Sequence, residues 1–245
     1  MAEQKWVELP VDGAPMRAHV SLPREGTAIH AGVVIIHGGW GFEGTLLNFP
    51  KRLAFSGYAA IVPDMYHRET PEQSEQKPLE RIARLTWAGA KRDIQVALDW
   101  LIRDAHVEAD RTAIVGYCMG GALALMGAAS LPFHTGVLFY PHEVFGPFGA
   151  DKVVPSDLLP QLKNPLLGHF GADDKNPSPA DMQKLDELLT AQGTPHQFYQ
   201  YEGAGHGFAV HSPPRESYRQ IASNTSYDRT IGWFDRHLRN VAAPV

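Results

Sequence analysis

The chain has 245 residues, 44% of them apolar, with a formal net charge of −5 and a pI near 6.2. That is enough apolar side chain for a sizeable core, which excludes disorder; no dense run of Lys or Arg is present, so neither nucleic acid nor an anionic membrane surface is expected as a partner. The one cysteine excludes an intrachain disulfide and fits a reducing compartment, Met1–Trp6 lacks the apolar core of a signal peptide, and the longest apolar stretch, about Ala31 to Ile36, is far too short to span a bilayer, so a cytoplasmic location is expected.

Residues 5–9 and 15–22 read as two early strands, with Val11-Asp12-Gly13 as their turn. Val33-Val34-Ile35-Ile36 reads as a buried strand leading into His37-Gly38-Gly39. Residues 46–56 suit a helix ended by Gly57, and Ala59-Ala60-Ile61-Val62 is the next strand. The stretch 69–78 is polar and irregular. A long helix is expected over roughly 79–104, with Ile94, Ala97, Leu98 and Leu101 on one face.

Thr112-Ala113-Ile114-Val115 reads as a buried strand, and Ala122-Leu123-Ala124-Leu125-Met126 as the start of a buried helix. Strands follow at 136–140, 165–170 and 197–201, with a weakly patterned loop over 143–163. Ser178-Pro179 signals a helix start, because serine caps and proline suits the first helical position. That helix carries Met182, Leu185, Leu188 and Leu189 on its apolar face and ends at Gly193. A final helix carries Tyr227, Ile231, Phe234 and Leu238. Strands separated by helices imply right-handed crossovers and a mostly parallel sheet covered on both faces. With no linker, repeat or low-complexity tract, one α/β domain over residues 1–245 is expected.

Between the buried strand and its helix stands Gly116-Tyr117-Cys118-Met119-Gly120-Gly121. Strand, G-x-C-x-G, helix is the pattern of a nucleophile elbow, with sulfur where serine is commoner. Such a turn lifts the side chain clear of the sheet and sets the thiol at a helix N-terminus, which favours the thiolate. A cysteine nucleophile needs a base, and the base an orienting carboxylate, in the chain order nucleophile, acid, histidine. Asp174, with Asp173 as its rival, follows the strand 165–170, and His206 follows the strand 197–201. An oxyanion hole is expected from the backbone N–H of Met119 and one N–H of the loop 37–41; Gly39 is the choice, with Gly38 and Trp40 beside it. No histidine pair has compact zinc-ligand spacing, His30 with His37 included, and no nucleotide fingerprint appears, so neither metal nor cofactor is expected.

These residues resemble the dienelactone hydrolase family within the α/β-hydrolase fold. The likeness rests on His37-Gly38-Gly39-Trp40-Gly41, Pro63-Asp64-Met65-Tyr66, GYCMGGALA at 116–124, GADDKNPSP at 171–179 and YEGAGHGFA at 201–209. It covers roughly residues 30 to 240. The resemblance implies a mostly parallel, near eight-stranded sheet. It also implies hydrolysis of a small ester or lactone through a thioester on Cys118, with His206 as base. Asp174 is selected over Asp173, because the family's acid is followed by two residues and then Pro or Val. Two positions depart from the family. Gly38 stands where many members carry a glutamate, with Glu43 near but not matching, and Val210 stands where members acting on dienelactone tend to carry an arginine. Arg81 and Arg84 lie in a helix expected to border the pocket. These departures argue against dienelactone as the substrate. Trp40, Tyr66, Tyr140, His142 and Phe208 are expected to make a more aromatic pocket. Rival readings on the same residues are hydrolysis of a thioester or small amide, and a non-catalytic binding protein.

Overall fold

A computed structural model describes residues 2–27, 29, 31–42, 44–211 and 216–239. His30 and Glu43 lie outside the described residues. The sheet is built from β1 (Glu3–Val11), β2 (Ala14–Leu22), β3 (Gly32–Ile36), β4 (Ala59–Pro63), β5 (Thr112–Tyr117), β6 (Thr135–Phe139), β7 (Leu166–Gly171) and β8 (His196–Tyr201), in the spatial order β1-β2-β4-β3-β5-β6-β7-β8. Asp12 and Gly13 both have positive φ, the backbone a tight hairpin turn requires, and they join β1 to β2 antiparallel. β2 pairs antiparallel with β4, and every later pairing is parallel.

The central strands are apolar without alternation because both faces are covered. Val33 and Ile35 of β3 point to one core, with α1 (Asn48–Phe55) and α7 (Gln220–Leu238), through Phe49, Leu53, Trp233 and Phe234. Val34 and Ile36 point to the other core, with α4 (Trp87–Arg103), α5 (Met119–Ser130) and α6 (Pro179–Gln192), through Ile94, Leu98, Leu123 and Leu185. Each fully buried aliphatic side chain contributes about 1.5–3 kcal/mol by leaving water. α6 begins and ends as its sequence signals. The Ser178 hydroxyl accepts from the Asp181 N–H, Pro179 opens the helix, and Gly193 closes it at φ 74°. Its buried face is narrower than expected: Leu185 and Leu189 are buried, whereas Leu188 is exposed.

The helix expected over 79–104 is two helices, α3 (Pro78–Ile82) and α4. The break has a tertiary cause. The Leu85 carbonyl accepts from the Ala150 N–H at 2.6 Å, the Thr86 hydroxyl caps α4 by accepting from Gly89 N–H, and the Trp87 N–H donates to Asp151. Hydrogen bonds to residues more than sixty positions away replace those that a continuous helix would make. A short α2 (Pro71–Ser74) also stands in the stretch expected to be irregular, opened by a Thr70/Gln73 capping box. The loop 143–163 contains a 3₁₀ turn at Pro155–Gln161 and buries Val144, Phe148, Leu159 and Leu162.

Candidate active site

β3, β5, β7 and β8 are parallel, so the loops that follow them open on one edge of the sheet. The bend between β5 and α5 puts Cys118 at φ 56°, ψ −116°, a conformation costly for any residue with a side chain. Glycines make the bend possible. A Cβ on Gly116 would lie 1.8 Å from the Gly120 carbonyl oxygen, and one on Gly120 would lie 2.4 Å from that of Ile36. The half-buried thiol stands at the first turn of α5.

The His206 imidazole hydrogen-bonds the Cys118 sulfur, and its Nδ1 lies 3.0 Å from Asp174 Oδ2. Asp174 is 4% exposed, and its other oxygen accepts from the Asn176 N–H at 3.0 Å. Asp173 points to solvent, and its N–H is spent on the Ala204 carbonyl. The structure therefore brings together Cys118, His206 and the second of the two aspartates. Burial pushes the Cys118 thiol up, but the facing imidazole and the amides of Met119 and Gly39 outweigh it, leaving the thiol below its ordinary range. Burial pulls His206 down, while the Cys118 sulfur and the Asp174 carboxylate hold it above its usual range. This pairing favours a thiolate beside an imidazolium.

The backbone N–H groups of Met119 and Gly39 both hydrogen-bond the sulfur, so the two expected donors converge there. A buried histidine holds the second of them. His37 Nε2 accepts from the Met65 N–H at 3.0 Å, which leaves the proton on Nδ1 to donate to the Gly38 carbonyl at 2.7 Å. Tyr66 holds the same loop from below. Its hydroxyl donates to the Gly39 carbonyl at 2.9 Å and lies 3.2 Å from Met119 Sδ.

Two cavities meet at Cys118 and His206. The first, about 280 Å³, is walled by Gly38, Trp40, Leu46, Tyr140 and Val210. The second, about 460 Å³, is lined by Pro78, Leu79, Ile82, His142, Lys175, Asp174 and the exposed Asp173. An ideal Cβ on Gly38 would sit 3.7 Å from Cys118 Cβ and 3.6 Å from the Tyr117 carbonyl oxygen, in ordinary contact with both, so this position lies directly against the thiol's residue. Tyr140 packs edge-on against the His206 ring at 5.2 Å, and His142 stands 6.3 Å from it. Trp40, Tyr140 and His142 are thus cavity walls.

Two expected wall residues are not. Phe208 is fully buried, lines neither cavity and supports Tyr140 from behind at 5.2 Å, because the turn after His206 folds it into the core. Tyr66 also lines neither cavity; its ring lies under the Arg81 guanidinium at 3.8 Å, and its hydroxyl is committed to the loop. Arg81 and Arg84 line a separate cleft beside Tyr66, and both are paired with Glu69 at 2.8 Å. Sequence reasoning passed over Asn176, which steadies Asp174 through its backbone and exchanges hydrogen bonds with Glu143 through its side chain. An asparagine two residues after an acid, just before proline, is the signal that could have found it.

A family model, the dienelactone hydrolase family, matches residues 16–238. The chain belongs to the dienelactone hydrolase family. Among relatives, a Bradyrhizobium protein named as a 2-oxo-3-(5-oxofuran-2-ylidene)propanoate lactonase is 29% identical, over 95% of this chain and 94% of its own. A Methylorubrum extorquens protein named as a carboxymethylenebutenolidase is 26% identical, over 94% of this chain and 80% of its own. A Klebsiella pneumoniae crystal structure, named as a dienelactone hydrolase, superposes with a TM-score of 0.86 at 24% identity, covering 96% of this chain and 99% of that one. The fold is therefore the α/β-hydrolase fold, and this dienelactone hydrolase family member is a hydrolase. Among the described residues, no helix is long and apolar enough to cross a membrane.

Proposed function

We propose that this enzyme hydrolyses a carboxylic ester or lactone through a thioester on Cys118. One observation carries the reading: the Cys118 sulfur, the His206–Asp174 pair and two backbone N–H groups converge on one point at the meeting of two cavities. The names of the relatives, a lactonase and a carboxymethylenebutenolidase, point to the same bond type. The Cys118 thiolate attacks the carbonyl carbon, and the C=O electron pair moves onto oxygen, which Met119 and Gly39 N–H groups stabilise. As that pair returns, the C–O bond to the alcohol breaks and the His206 imidazolium gives its Nε2 proton to the leaving alkoxide. Neutral His206 then takes a proton from water, and the resulting hydroxide attacks the thioester. The second tetrahedral intermediate collapses to carboxylic acid and thiolate. Asp174 accepts from Nδ1–H throughout, which fixes the ring and stabilises its charged form. We place this chemistry in one α/β-hydrolase domain over residues 1–245 and, on the lone thiol, in the cytoplasm.

The test is p-nitrophenyl acetate hydrolysis. Cys118→Ala is expected to abolish it and Cys118→Ser to retain a weak rate, because hole and base remain. Asp174→Asn is expected to lower kcat about a hundredfold or more, through loss of the imidazole's orientation and charge partner. Equal turnover by Cys118→Ala and the parent would eliminate the mechanism.

A further inference from the structure

We infer that Glu143 and Asn176 are positioning residues, a latch that sets the Asp174–His206 pair against the Cys118 sulfur. This rests on the proposed hydrolase reading and names what holds its geometry. The two residues bond reciprocally: the Glu143 N–H donates to Asn176 Oδ1 at 3.1 Å, and Asn176 Nδ2 donates to Glu143 Oε1 at 2.8 Å. The latch closes a ring of hydrogen bonds that starts and ends at Cys118. The Cys118 carbonyl accepts from the His142 N–H at 2.9 Å, and Glu143 is the next residue. Beyond the latch, the Asn176 N–H donates to Asp174 Oδ1 at 3.0 Å, Asp174 Oδ2 accepts from His206 Nδ1 at 3.0 Å, and the His206 imidazole returns to the sulfur.

The acid and base loops are tied to each other, because the Asp173 N–H donates to the Ala204 carbonyl at 2.9 Å. The latch ties that unit to residues 140–143, the segment that touches the nucleophile's bend. This segment is shaped at a cost. Tyr140 has φ 38° and Glu143 φ 55°, left-handed conformations that a residue with a side chain keeps only where its surroundings impose them. Pro141 between them lies tight against α5, where a Cβ on Gly121 would come 2.7 Å from its Cα. The Glu143 carboxylate has a seat of its own, since a Cβ on Gly146 would collide with its Oε2. Glu143 lines neither cavity, and its side chain is 39% exposed. A hydrogen bond in so open a place adds little to stability, so its effect falls on alignment. A shift of about 1 Å at the reacting groups costs roughly a hundredfold in rate. Loss of the Glu143 side chain costs less, because the bond from the Asn176 N–H to Asp174 stays.

The experiment measures kcat and KM for p-nitrophenyl acetate, with a thermal melt of each preparation. Glu143→Ala is expected to lower kcat about tenfold and to leave KM within about twofold, because alignment and not binding is lost. Glu143→Gln keeps an oxygen for Asn176 Nδ2 and is expected to restore kcat to within about twofold of the parent. Asn176→Ala breaks both bonds of the latch, and the double alanine variant is expected to be no slower than Asn176→Ala alone. Each variant is expected to melt within about 4 °C of the parent. Parent-like kcat in both Glu143→Ala and Asn176→Ala, with Cys118→Ala still inactive, would overturn the inference and leave the hydrolase reading standing. Glu143→Gln as slow as Glu143→Ala would overturn it by making the charge, and not the hydrogen bond, the property that counts. Losses that multiply in the double variant would make the two residues independent and no latch. A much lower Tm with an unchanged kcat in the folded fraction would make the pair a stabilising contact and sink the inference as well. Turnover indifferent to Cys118→Ala would remove the hydrolase reading and the inference with it.

Discussion

Tyr66→Phe removes one hydroxyl and little else. The ring keeps its place under Arg81 at 3.8 Å and beside His37 at 5.2 Å, so the shape of the loop's support is preserved. What is lost is the 2.9 Å hydrogen bond to the Gly39 carbonyl and the 3.2 Å contact with Met119 Sδ. These are the two residues whose N–H groups converge on the sulfur. Leaving a buried carbonyl without this donor costs roughly 1–3 kcal/mol. In a domain of this size each kcal/mol lowers Tm by about 2–4 °C. The catalytic loss follows from geometry. Deleting an oxyanion donor outright costs about a hundredfold to a thousandfold in kcat. Here the Gly39 peptide is loosened and not deleted, so kcat is expected to fall about tenfold. KM should stay within about twofold, because Tyr66 lines neither cavity at the thiol and removes no uniform binding. Steady-state kinetics on an aryl acetate, with a thermal melt of the same preparation, reads both quantities. A lowered Tm with an unchanged kcat would refute the reasoning, since it would make the hydroxyl a stabilising contact with no hold on the amides.

Two more outcomes follow from the same geometry. The Cys118 thiol lies below its ordinary range, so the thiolate is lost only as pH falls through that lowered value and persists on the acid side of an ordinary thiol. The iodoacetamide alkylation rate of the folded enzyme is therefore expected to have its midpoint below the roughly 8.5 of a free cysteine. A midpoint at or above that value would contradict the ion pair with His206. Gly116→Ala would place a Cβ 1.8 Å from the Gly120 carbonyl, backbone against backbone with nothing able to yield. It is expected to cost about 3 kcal/mol or more and to lower Tm by roughly 10 °C, and a soluble variant melting with the parent would contradict the close approach.

The eight strands, the capped α6 and the bend at Cys118 were legible in the chain because each is written locally. Both-face burial demands unbroken Val and Ile, a helix start demands Ser178-Pro179, and backbone passing within van der Waals contact of backbone demands Gly116 and Gly120. The placement of Cys118, Asp174 and His206 after β5, β7 and β8 was legible for the same reason, since parallel strand ends share an edge whatever the loops do. Only the tertiary structure decided the rest. The break before Thr86 depends on Ala150 and Asp151, sixty-odd residues on, and no periodicity within 79–104 encodes them. Tyr66 and Phe208 read as aromatic in either role. Their assignment as support and not wall depends on the direction in which each ring leaves its loop, set by the Gly39 carbonyl for one and by Tyr140 and Tyr201 for the other. Whether Arg81 and Arg84 face substrate was likewise undecided until Glu69 folded between them. A charge's sign is written in the chain, but its partner is chosen by packing.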